Sequence, residues 1–206
     1  MSEMGIHSTE LPLPSPAVTN VYPENTLDAE DWKHRPPYHT QGHEEFGPIK
    51  WKASCQCGRV TYAINRDRPL NAKFCHCRGC QVMHGAPLQW AAIFHKKDIS
   101  FTKGSSGLSF FSATLNSQKY DMPTKVSCSF CHTLIMDEGR STCLLYPQLI
   151  QFEGTGDERR KQLEIFKPTC HIFYQQRMFD MPDGMPKWSG MDNQSQLLDD
   201  YGKPTQ

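Results

Sequence analysis

The chain has 206 residues, 22 basic against 22 acidic side chains, and nine cysteines. That length supports one substantial core, and zero formal net charge argues against a general nucleic-acid binder. The longest apolar runs, such as Trp90–Phe94, fall far short of the roughly 20 residues a membrane helix needs.

Residues 1–47 read as a Pro-rich arm, disordered or loosely docked, around Leu11-Pro12-Leu13-Pro14-Ser15-Pro16. His34, His39 and His43 lie in it and read as solvated polar residues rather than metal ligands. Glu3 and Glu10 in a segment without an apolar stretch argue against a secretory signal. The expectation is therefore a cytoplasmic protein, the nucleus not excluded, with reduced cysteines. Nine thiols in such a compartment point to metal or catalysis.

Order is expected from residue 48. Ile49–Ala53 alternates as a strand and runs into Cys55-Gln56-Cys57-Gly58, where residues two apart can offer both sulfurs to one metal. Arg59–Ile64 reads as the return strand. Ala72-Lys73-Phe74 leads into Cys75-His76-Cys77-Arg78-Gly79-Cys80, and Gln81–Gly85 into a short helical turn or loop. Leu88–Phe94, Ile99–Phe101 and Leu108–Phe111 have strand composition. Lys103–Gly107 between them lacks the spacing of a phosphate loop and predicts a hairpin connection. Thr124–Ser127 reaches the last pair, Cys128 and Cys131. Leu134–Met136 and Cys143–Tyr146 read as strands, Asp157–Phe166 as the best helix, and His171–Tyr174 as a final strand. Residues 48–190 thus form a mainly β domain, and 191–206 a polar, mobile tail.

Zinc takes four ligands in a tetrahedron, and structural sites fill all four from the protein. Cys55, Cys57, Cys128 and Cys131 supply such a set and would staple most of the core. Cys75, Cys77 and Cys80 then remain, and three ligands leave one zinc position open. An incoming thiol bound there would lose its proton and become an oriented nucleophile. Lys73 or Arg78 could balance the charge of three thiolates. His76 or His84 could instead close the site as a fourth ligand, and His84 is the better candidate for an acid, base or hydrogen-bond donor. Spacing alone also permits Cys75 and Cys77 to join Cys128 and Cys131. Cys143 and Cys170 read as small core residues.

The three clusters, in this order and spacing, resemble the signature of the glutathione-dependent formaldehyde-activating enzyme and centromere protein V family, from about Trp51 to about Trp188. His171-Ile172-Phe173 and Asp183–Trp188 resemble its C-terminal part. The resemblance implies a β-tent of small antiparallel sheets, with one structural zinc on Cys55, Cys57, Cys128 and Cys131. It implies a second zinc on Cys75, Cys77 and Cys80, taken as catalytic, and glutathione as co-substrate. The implied activity is a carbon–sulfur lyase reaction on glutathione adducts of formaldehyde or a related small electrophile, with a small-molecule thiol and electrophile as partners and no membrane. Two departures stand out: His132 replaces a common glycine after the last cysteine, and nothing between Gly85 and Lys125 matches a glutathione-contacting motif. The alternative function is a non-catalytic zinc module for a protein or chromatin partner. A redox enzyme such as a methionine sulfoxide reductase would need a reactive cysteine outside the clusters, and neither Cys143 nor Cys170 has an activating neighbour in sequence.

Overall fold

The computed structural model describes residues 30–205. The chain is mainly β, with twelve strands among the described residues: β1 (Trp51–Ser54), β2 (Thr61–Ile64), β3 (Asn71–Cys75), β4 (Gln89–His95), β5 (Ile99–Lys103), β6 (Leu108–Phe111), β7 (Thr124–Cys128), β8 (Leu134–Glu138), β9 (Thr142–Leu145), β10 (His171–Ile172), β11 (Lys187–Trp188) and β12 (Leu197–Leu198). The α-helices are short: α1 (His43–Phe46), α2 (Arg78–His84) and α3 (Gly156–Ile165). One sheet has the order β1-β2-β5 and the other β12-β11-β10-β3-β4-β9-β8-β7-β6. The sheets are not all antiparallel: β10 lies parallel to both β3 and β11.

Alternation explains where the core sits. Successive strand residues point to opposite faces, so Tyr62 and Ile64 of the small sheet meet Ala92, Phe94, Val126, Met136 and Leu145 of the large one. Phe166, just past α3, is fully buried against this core beneath Trp51 and Phe152. Cys143 is buried in it too, as its apolar surroundings predict. Burying each such aliphatic or aromatic side chain contributes roughly 1.5–3 kcal/mol before chain entropy is set against it.

Three expectations change. Lys103–Gly107 does not close a hairpin: it carries the chain from β5 in the small sheet to the edge strand β6 of the large one. Gly104 is required there, with φ +76° and its hydrogens facing the Arg59 carbonyl oxygen, 2.0 Å from where a Cβ would stand. Residues 1–29 of the expected loose arm lie outside the described residues, but the remainder packs. Tyr38 is buried, stacked on Phe101 at 5.4 Å, and donates to the Glu138 carboxylate at 2.7 Å. Glu138 also accepts from Tyr120 and pairs with Lys96, so this buried carboxylate is fully satisfied. Finally, the polar end of the chain folds back. Leu197–Leu198 pairs with Lys187–Trp188, and Asp200 meets the buried Lys187 ammonium at 2.7 Å.

Candidate metal centre and thiol site

Cys55, Cys57, Cys128 and Cys131 come together, their sulfurs all within 4.8 Å of one another. Cys55 and Cys57 leave the strand for a turn at the end of β1, where the Gly58 amide bonds back to the Cys55 carbonyl at 3.0 Å and Gly58 adopts φ +70°. Four sulfurs 2.3 Å from a zinc at tetrahedral angles stand about 3.8 Å apart. The Cys55–Cys57 and Cys57–Cys128 separations are 3.5 and 3.9 Å. The donor set and spacing therefore suit zinc. Hydrogen bonds from the Thr133 hydroxyl and backbone bring the Cys131 thiol down to about 5, which favours the thiolate a metal takes. His132 adopts φ +58°, the left-handed conformation that glycine adopts freely, so the turn survives the substitution at some backbone cost.

Cys75, Cys77 and Cys80 form a second group within 4.8 Å, and among the described residues no fourth Cys, His, Asp or Glu atom joins them. The mixed set of Cys75 and Cys77 with Cys128 and Cys131 is not formed. Cys75 ends β3, and Cys77 caps α2, its sulfur accepting from the Cys80 amide at 3.4 Å. Within the trio, hydrogen bonds from Cys75 and Cys80 pull the Cys77 thiol far down, and Cys75 and Cys80 rise in return.

The surrounding residues sort differently from their sequence neighbours. His76 points away from the trio: its Nε2 lies 2.8 Å from His171 Nδ1, and His171 Nε2 lies 2.9 Å from Asp183. With Asp183 accepting from Nε2–H of a neutral His171, His171 Nδ1 is an acceptor and His76 donates to it. Burial, then the neighbouring His171, lowers His76 to about 4. Asp183 in turn takes the Lys187 ammonium at 2.7 Å. This chain ties the Cys75-His76-Cys77 bend to the C-terminal segment. Cys170, the second isolated cysteine, is buried beside Cys75 and Ile172.

Neither cation adjacent in sequence serves the trio. Lys73 pairs with Asp192, and Arg78 is exposed, its backbone amide donating to Gln176. Lys125 of β7 is a cation whose charge favours the thiolate forms of both Cys77 and Cys80. Lys125 donates to Asp137 at 2.5 Å; Tyr146 and Gln89 donate to the same carboxylate at 2.6 and 3.0 Å. His84 stands edge-on to Tyr146, ring centroids 4.9 Å apart, and burial lowers its pKa. Sequence reasoning missed Lys125 because only strand pairing brings it here. The expected strand Thr124–Ser127, with Val126 on the apolar face, was the available signal that Lys125 faces the other way.

Two surface hollows, about 290 and 470 Å³, are lined by neither cluster. Among the described residues no helix is long and apolar enough to cross a membrane.

Fold and clusters together define a mainly β domain able to hold metal ions on two sets of cysteine sulfurs. The chain belongs to the glutathione-dependent formaldehyde-activating enzyme family, whose model matches residues 50–176, more than half its length. No curated protein matches the sequence significantly. Among solved structures, a Rhodobacter sphaeroides protein is similar at 17% identity and a TM-score of 0.40, over 52% of this chain and 91% of its own.

Proposed function

We propose that this chain is a zinc-dependent carbon–sulfur lyase acting on glutathione adducts of formaldehyde or a related small electrophile. Cys75, Cys77 and Cys80 are its reactive centre; Cys55, Cys57, Cys128 and Cys131 hold a structural zinc. The observation that carries the reading is the trio itself, three converging thiols that no fourth protein ligand joins among the described residues. A zinc held there supplies an open position and favours the thiolate of a thiol that enters it. The chain's own groups do the rest. The three cysteines fix the place of reaction, the His76–His171–Asp183 chain holds their bend, and Lys125 offsets the negative charge the sulfurs gather.

Family membership supports a glutathione-type thiol as the entering group. The alternative, a non-catalytic zinc module for a protein or chromatin partner, gains nothing from the balanced charge of 22 basic and 22 acidic residues. Exchange of formaldehyde with its glutathione adduct, followed by magnetisation-transfer NMR, tests the choice. The intact chain is expected to accelerate exchange, and Cys77→Ser to abolish the acceleration while far-UV circular dichroism stays unchanged. Exchange at the uncatalysed rate in the zinc-loaded chain would rule this substrate pair out.

A further inference from the structure

The large sheet has two faces, and the thiol site is built on the one that looks away from the core. Ala72, Ala92, Leu145, Met136 and Val126 point into the core. Cys75, Gln89, Asp137 and Lys125 each stand an odd number of residues from one of these on the same strand, so they share the opposite face. The register makes neighbours of them: Cys75 pairs with Gln89, and Lys125 with Asp137. Tyr146 continues the same alternation just beyond β9 and reaches Asp137.

On this face Asp137 is saturated and Lys125 is not. One carboxylate oxygen accepts from Tyr146, the other from Gln89 and Lys125. Lys125 thereby gives up one N–H and is locked in place; its other two have no partner among the described residues. Gln89, 2% exposed, and the half-buried His84 face each other, and the Gln89 side chain is the hydrogen-bond partner that holds the His84 pKa up against burial. A fixed ammonium with two N–H groups to spare thus stands on the face that carries the sulfurs.

We propose that Lys125, fixed by Asp137 and Tyr146, is the receptor for the carbonyl oxygen of the electrophile. The inference rests on the lyase reading and identifies the electrophile class as a small aldehyde. As the thiolate sulfur forms the new C–S bond, the carbonyl π pair moves onto oxygen. The Lys125 ammonium meets that charge, and a proton from solvent completes the hemithioacetal. The reverse reaction returns the proton and breaks the C–S bond. A donor placed where charge develops raises the rate rather than the affinity.

The test compares the zinc-loaded chain with Lys125→Met and Lys125→Arg, reading zinc content, glutathione binding by calorimetry, and the rate with formaldehyde. Lys125→Met is expected to keep its zinc and bind glutathione within about threefold, while its rate falls about 100-fold or more. Lys125→Arg, which keeps the charge, should recover at least about tenfold of that loss. If Lys125→Met does not fold, the pair Lys125→Met with Asp137→Asn removes both charges and is read in the same way. An undiminished rate in an active background overturns this inference alone, as does a loss that only follows zinc content or glutathione affinity. A wild-type chain without activity overturns the lyase reading and this inference with it.

Discussion

At the scale of single residues, Cys57 and Cys77 look alike in sequence and differ in surroundings. Cys57 reaches 71 residues along the chain to Cys128, so the ion its cluster can hold closes a loop spanning most of the core. Cys77 bonds within its own turn, to the Cys80 amide. Cys57→Ser is therefore expected to cost several kcal/mol, on the order of 10 °C or more in unfolding midpoint, whereas Cys77→Ser should melt within a few degrees of the parent. Differential scanning calorimetry of the zinc-loaded proteins checks this, and equal midpoints for the two variants would contradict it. The three cysteine clusters were legible from their short spacings, but spacing alone left open which clusters share an ion, and the fold decides it by bringing Cys55 and Cys57 to Cys128 and Cys131. Lys125, Asp137 and Gln89 were not, since their meeting depends on strand register. Lys73 and Arg78 sit nearer the trio in sequence, yet one is held by Asp192 and the other is exposed.

Among the elements, strands with clear alternation or apolar runs were legible, and so was α3, whose stretch opens with the acidic Asp157 and Glu158 and continues with basic residues. The two-residue strands β11 and β12 carry no periodic signal. They form because Lys187 is buried and needs Asp183 and Asp200 on either side. Leu198 then covers part of the turn, and the Tyr174 hydroxyl donates to the Asp200 carbonyl at 2.7 Å. Ending the chain after Gly190 should therefore cost about 2.5–6 kcal/mol, the sum of one buried leucine and two hydrogen-bonded contacts. Urea unfolding at fixed zinc loading measures it, and an unchanged midpoint would mean that the segment adds nothing. The N-terminal side behaves alike. Polar composition around Tyr38 conceals that its ring and hydroxyl both find buried partners, Phe101 and Glu138. Tyr38→Phe, which strips a donor from a buried carboxylate, should cost about 1–3 kcal/mol in the same assay.

For the whole molecule, the mainly β class and the pairing of distant cysteine clusters could be read from sequence, but the joining of nine strands into one mixed sheet could not. Parallel placement of β10 beside β3 ties Ile172 to Cys75, and with it the C-terminal segment to the thiol site. On the proposed function, seven cysteines divide into a closed centre that holds the fold and an open one that meets a thiol. Zinc bound per folded chain, measured by native mass spectrometry before and after adding glutathione, tests that division most directly. Two zinc ions are expected, with one glutathione added to the intact chain and none to Cys77→Ser. A single zinc that stays bound while glutathione fails to attach would contradict it.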